Sequence, residues 1–190
     1  VVSSYDDAYV KSGVTVTVTG SGFATPANAT AQVTVGGQSY NIVGVANDNT
    51  LTFTTGAGNF KDVVIITDKA GNKNTSGPQL TVDNLAPVVG SVNKNSIKNG
   101  STAIITGSGF QASPASPIAS VKVNNATTGI GGFSVNSDTQ ITLTATTGDV
   151  AHSVIKITDE AGNSSTATNV KIAIDNTAPS ISGITDTGGN

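Results

Sequence analysis

One internal repeat, running almost the full length of the chain, constrains the fold more than any other feature. Lys11-Ser12-Gly13 returns as Lys98-Asn99-Gly100, and Thr19-Gly20-Ser21-Gly22-Phe23 returns as Thr106-Gly107-Ser108-Gly109-Phe110. Asp48-Asn49-Thr50-Leu51-Thr52 returns as Asp138-Thr139-Gln140-Ile141-Thr142. Ile66-Thr67-Asp68-Lys69-Ala70-Gly71-Asn72 returns as Ile157-Thr158-Asp159-Glu160-Ala161-Gly162-Asn163, and Val82-Asp83-Asn84-Leu85-Ala86-Pro87 as Ile174-Asp175-Asn176-Thr177-Ala178-Pro179. The order is kept while the offset grows from 87 (Lys11 to Lys98) to 92 (Pro87 to Pro179), so the second copy carries longer loops. Residues 1–87 and 88–179 are therefore expected to be two copies of one module. Ser180 to Ile184 resembles Val88 to Val92, so residues 180–190 are expected to begin a further repeat or to be a tail.

Each copy reads as short strands between turns. Val14, Val16 and Val18 alternate with threonines, and Leu51 and Phe53 do the same, the period of two expected of half-buried strands. Gly36-Gly37 between Gln32–Val35 and Gln38–Val43 predicts a tight hairpin. Asp62–Thr67 is a more continuous apolar run, and Gln79–Asp83 closes the copy. The second copy repeats the pattern at Ala103/Ile105, Val121/Val123, Ile141/Leu143, Ile155/Ile157 and Val170/Ile172/Ile174. No stretch has helical period. Six or seven short strands in about 90 residues predict a β-sandwich, so the fold class is all-β.

Composition excludes several functions. There is no cysteine, hence no disulfide, thiolate zinc site or cysteine nucleophile. All nine basic residues are lysine, and eleven of the twelve acids are aspartate. With a net charge of −3 and no arginine, nucleic acid is not an expected partner. No apolar run approaches the ~20 residues of a membrane span. Nothing at Val1 reads as a leader peptide, so the chain is expected to be cut from a longer protein. His152 is expected in a loop as solvated surface, and Asp6-Asp7 likewise. Gly20-Ser21-Gly22 follows a strand, but no helix follows it to hold a phosphate. These glycines are expected to let the strand bend. Glycosylation sequons occur at Asn28, Asn74, Asn99, Asn125 and Asn163. Lys11 and Lys98 are expected to flank turns. An intramolecular Lys–Asn isopeptide bond is not expected, because the predicted core strands offer no acid for it.

The sequence Asp-x-Ala-Gly-Asn, then a strand, then Asp-Asn-x-Ala-Pro resembles the repeats of bacterial immunoglobulin-like domains in very large surface adhesins and biofilm-associated proteins. The Gly-Ser-Gly-Phe segment, with a later Asp-x-x-Leu/Ile-Thr strand, also resembles the IPT/TIG sandwich group. The resemblance implies tandem immunoglobulin-like β-sandwiches, an extracellular location, long arrays, frequent calcium at module junctions, and no enzyme activity. In such a sandwich the last hairpin of one module faces the linker from the module before it. Asp83, Asn84, Asp159 and Asn163 are then expected to converge on one junction as oxygen donors for a hard cation. Asp68 and Asn72 would face an upstream module, and Asp175 and Asn176 a downstream one. The competing reading makes all eight turn formers whose side chains bind nearby backbone amides, and the two roles can coexist.

The function expected from these features is a non-enzymatic extracellular spacer of a large cell-surface adhesin. Its partners are neighbouring modules of the same chain, with surface or host ligands taken by other domains. Rival readings are a subunit of a surface lattice, a glycan- or protein-binding module, and an accessory module of a secreted enzyme. The lack of tryptophan and the three tyrosines argue against an aromatic sugar platform.

Overall fold

Alternating Val/Thr and Leu/Thr segments can hide one face and wet the other only by forming strands that pack in pairs of sheets. The computed structural model of the chain describes residues 1–24, 29–111, 116–166 and 169–183. The sequon at Asn28 and the end of the expected third repeat, 184–190, lie outside them. Among the described residues ten strands form from the first copy: β1 Val2–Tyr5, β2 Tyr9–Val10, β3 Thr15–Gly20, β4 Thr30–Val35, β5 Gln38–Tyr40, β6 Ile42–Asn47, β7 Thr50–Thr54, β8 Phe60–Val63, β9 Ile65–Asp68 and β10 Gln79–Val82. Eight form from the second: β11 Val88–Val92, β12 Ser96–Ile97, β13 Thr102–Ser108, β14 Ile118–Val123, β15 Ile130–Ser137, β16 Gln140–Ala145, β17 Val150–Asp159 and β18 Lys171–Ile174.

The sheets repeat as the sequence does. β1-β3-β7-β6 in the first copy corresponds to β11-β13-β16-β15 in the second. The opposing sheet is β12-β18-β17-β14 in the second copy. In the first it divides into β2-β10-β8 and β5-β4-β9, because the strand that is continuous as β17 breaks at buried Val64 between β8 and β9. One hydrophobic core draws on residues from Val2 to Val82, the other on residues from Val89 to Ile174. The chain is a tandem of immunoglobulin-like β-sandwiches, all-β among the described residues.

More strands form than periodicity counts, for local reasons. The first strand of each copy starts in one sheet and finishes in the other. At the crossing Asp6 donates its backbone N–H to Thr17 O (3.1 Å), while its Oδ1 accepts from Thr17 N (2.9 Å). Asn93 repeats this with Ile104 O and N, at 3.0 and 2.7 Å. The side-chain oxygen replaces a strand carbonyl and frees the backbone to leave the sheet. Asp6 is exposed, as expected, and serves in addition as a structural bracket. Gly36 and Gly37 take φ of +56° and +76°, closing β4 onto β5 with Val35 opposite Gln38. The run ends at Tyr40, and β6 then joins the other sheet. Val14 falls outside β3 and is 41% exposed, whereas Val16 and Val18 are fully buried. His152 lies in β17 rather than in a loop, and its side chain is exposed. Ser180–Gly183 forms no strand.

The Thr-Gly-Ser-Gly-Phe repeat has a packing cause. A Cβ on Gly20 would collide with Val1 O and lie 2.6 Å from the Phe23 ring; one on Gly107 would meet Val88 O and the Phe110 ring in the same way. Phe23 and Phe110 are buried against these bare backbones. The Asp of the later motif holds the loop: Asp48 accepts from Gly22 N and Ala24 N at 3.2 Å each, and Asp138 from Gln111 N at 3.1 Å.

Candidate functional site

The polar motifs collect where one sandwich meets the next, and each is built locally before the junction forms. In the Asp-x-Ala-Gly-Asn hairpin, Asp68 Oδ1 accepts from Ala70 N (2.8 Å) and Asn72 N (2.9 Å), and Oδ2 accepts from Asn72 Nδ2 (2.8 Å). Asp159 holds Asn163 through N (2.8 Å) and Nδ2 (3.0 Å) in the same pattern. In the closing motif, Asp83 Oδ1 accepts from Leu85 N (2.9 Å) and Asp175 Oδ1 from Thr177 N (3.0 Å), which is the turn chemistry aspartate favours. Asn84 and Asn176 bolt back into their own modules. Asn84 Oδ1 accepts from Ser12 N (2.9 Å) and its Nδ2 donates to Gly58 O (2.7 Å); Asn176 Oδ1 accepts from Asn99 N (2.7 Å) and its Nδ2 donates to Gly148 O (3.3 Å).

At the junction these pieces interlock. Asn163 Nδ2 donates to Asp83 O at 2.9 Å, and Ser116 N donates to Asp83 Oδ2 at 2.6 Å. From the other direction, Lys11 Nζ donates to Gly162 O at 2.9 Å. Parallel pairing of β2 with β10 sets Lys11 beside Asp83, since Asp83 N donates to Val10 O at 2.9 Å. Asp83 has no exposed surface and Asp159 is 2% exposed, and Pro87 in the linker is buried too. Their repeat partners Asp175 and Pro179 are exposed. Contact between modules, not the motif itself, causes the burial.

The same hairpin therefore carries opposite electrostatics at its two occurrences. Asn72 and the loop amides hold the carboxyl of half-buried Asp68 below its ordinary range. Burial first, and the charge of Asp83 to a lesser extent, push the Asp159 carboxyl above its ordinary range, against the hydrogen bonds of Asn163 and the ammonium of Lys11, which pull it down. The hydroxyl of Ser116 is buried with no hydrogen-bond partner among the described residues. An orphaned buried hydroxyl costs about 1–3 kcal/mol, so its position beside Asp83 is informative.

Of the eight candidate ligands, Asp83, Asp159 and Asn163 come together at the junction. Asn84 turns away into its own module, and Asp68 and Asn72 bind each other at the far end of the first module. Asp175 and Asn176 remain at the exposed end of the second. Among the described residues no group of three or more His, Cys, Asp or Glu side chains could hold a metal. What the junction brings together is two buried carboxylates, Asp83 and Asp159, with the unpartnered Ser116 hydroxyl beside Asp83. Sequence reasoning missed Lys11 and Ser116. Lys11 could have been found, because Lys98 recurs at its place; Ser116 sits in a loop that the repeat does not share.

A family model for the IPT/TIG domain matches residues 1–82. No curated protein matches the chain. Among solved structures, it is similar to the SGBP-B protein of the Bacteroides ovatus mixed-linkage glucan utilization locus, in complex with a mixed-linkage heptasaccharide. Identity is 19% over 90% of this chain and 43% of that one, with a TM-score of 0.37. The chain thus spans less than half the length of that protein. It is also similar to the fibronectin(III)-like modules of Clostridium thermocellum CbhA (14% identity, 91% and 93% coverage, TM-score 0.39). The Escherichia coli adhesin FdeC is a third (14% identity, 94% and 64% coverage, TM-score 0.37). No helix of the described residues is long and apolar enough to cross a membrane.

Proposed function

We propose that the chain is a non-enzymatic extracellular spacer, two consecutive modules of a large repetitive surface adhesin of the bacterial immunoglobulin-like type. The observation that carries this reading is the junction. The Asp of the closing motif is buried only where a following module supplies Asn163 and Ser116, and Lys11 closes the joint from the other side. Short linkers with a buried proline restrict bending, since proline fixes φ. The polar side chains of the repeated motifs are occupied with backbone groups, as a structural role requires. The array would project a binding domain, carried elsewhere in the protein, away from the cell surface.

Calcium is part of the proposal. Asp83, Asp159 and the Ser116 hydroxyl would hold it, with Asn163 beside them, and it would neutralise two carboxylates that otherwise face each other in a buried place. Lys11 supplies one positive charge at the same place without metal, so the joint closes in both states and calcium stiffens it. Titration calorimetry and thermal melting with calcium and with chelator test this on the wild type and on Asp83→Ala. A calcium-dependent rise in melting temperature, lost in Asp83→Ala, is expected. Identical melting in calcium and chelator would remove calcium from the account.

A further inference from the structure

The outer face of the β14-β17-β18 sheet carries a row of cations that a spacer has no use for. Lys122 stands directly opposite Lys156 in the β14–β17 register, and Lys171 stands opposite Val154 in the β17–β18 register. Ile155 and Ile157 point into the core and Lys156 away from it; Val121 and Val123 flank Lys122, and Ile172 follows Lys171, in the same alternation. Three of the nine lysines thus line up across three neighbouring strands, spanning about 10 Å at the usual strand spacing. Like charges directly opposite in an antiparallel pair are destabilising. No hydrogen bond or ion pair holds the three amines among the described residues. Ser120, His152, Val154, Thr158 and Ala173 are the neighbouring outward residues on these strands, and none of them is an acid.

The first module lacks the feature. Its register sets Thr34 opposite Ile65 where the second has Lys122 opposite Lys156, and Gln79 opposite Val63 where the second has Lys171 opposite Val154. Lys61, at the place of His152, and Lys73 stand opposite Thr81 and Thr67, not opposite another lysine. The row is not required by the shared fold, and it runs against the net charge of the chain. Beside it lies an open concavity of about 540 Å³, lined by Lys156, Lys171, His152, Ser153, Asn124 and Asn125 among others.

We infer that this face of the second module binds an anionic polysaccharide, with Lys122, Lys156 and Lys171 facing its carboxylates or sulfates and the Asn and Ser side chains of the concavity its hydroxyls. Charge complementarity selects a polyanion. The face has no arginine and no Trp, Tyr or Phe, and its single imidazole, His152, is a poor stacking platform for successive bases, which disfavours a nucleic acid. Three lysines fall short of the four to eight that mark an anionic membrane surface. Its exposed apolar side chains are confined to Val154 and Ala173, too few for a protein interface core.

The test is binding of a polyuronate oligosaccharide to the full chain in chelator, so that calcium bridges nothing. Wild type, Lys122→Gln/Lys156→Gln/Lys171→Gln, and the charge-matched Lys61→Gln/Lys69→Gln/Lys73→Gln are compared. The first triple variant is expected to weaken binding about tenfold, as three exposed charge contacts would, and the second by less than about twofold. The first should melt no lower than the wild type, because it removes a like-charge pair. Equal losses in both triples, binding of a neutral oligosaccharide as tight as the polyuronate, or equal binding of single-stranded DNA or anionic vesicles would each overturn the assignment. None of these outcomes bears on the spacer reading, which calcium and junction variants test.

Discussion

Asp83 and Asp175 occupy one motif in two environments, so replacing each by alanine isolates what the junction contributes. Asp175→Ala removes one exposed turn bond, to Thr177 N, at a cost of about 0.5–1 kcal/mol. Asp83→Ala removes the matching bond to Leu85 N and, in addition, the buried acceptor of Ser116 N. A hydrogen bond to a buried charge contributes about 1.5–3 kcal/mol, and the amide left behind has no water to replace it. Removing the repulsion felt by Asp159 offsets part of this. The net excess of Asp83→Ala over Asp175→Ala is about 1–2 kcal/mol. For a module of this size that corresponds to roughly 4–16 °C between the two variants' melting temperatures. Differential scanning calorimetry in chelator measures it directly, both variants having the same charge change. Equal shifts would mean that the Asp83–Ser116 contact adds nothing and that the junction is not a joint.

Three further predictions rest on separate features. Gly107→Ala, which drives a Cβ into Val88 O and the Phe110 ring, should cost about 3 kcal/mol or more in urea unfolding. Gly13→Ala, where φ is +80° but the space is open, should cost about 1 kcal/mol. In chelator, the Asp159 carboxyl titrates above its ordinary 3.8 in the folded state, so the folded form binds its proton more tightly than the unfolded form. Junction stability should therefore rise as pH falls from neutrality through that value towards 3.8, and Asp159→Asn should flatten the rise in a pH series of melting curves. Below 3.8 the lowered Asp68 and Asp149 carboxyls act with the opposite sign and stability should fall. With calcium bound the first trend should reverse, because protonation of Asp159 competes with the ion.

What the residues revealed in advance divides along physical lines. Alternation placed Val16, Val18, Leu51 and Phe53 in the core, since burial on a pleated sheet has a period of two. It could not show that Val14 would fall outside the strand, because that depends on where pairing with β7 ends. The repeat exposed the glycines, read from sequence only as places where a strand bends. Their causes, the Phe23 and Phe110 rings over bare backbone, need three dimensions. At the junction the convergence of Asp83, Asp159 and Asn163 followed from immunoglobulin connectivity. That Asn84 turns back to Ser12 and Gly58 did not, since adjacent residues on a strand end point to opposite sides. The lysine row was invisible in sequence because Lys122, Lys156 and Lys171 become neighbours only through strand register.

The rigid joint is tested most directly by the distance distribution between the two modules. The chain has no cysteine, so spin labels at Val43→Cys and Thr127→Cys, on exposed positions of the first and second modules, report it without interference. Double electron–electron resonance should give one narrow distance in the wild type, narrower still with calcium, and a broad one in Asp83→Ala. A broad wild-type distribution that neither calcium nor Asp83→Ala alters would contradict the account and leave the modules as beads on a flexible string.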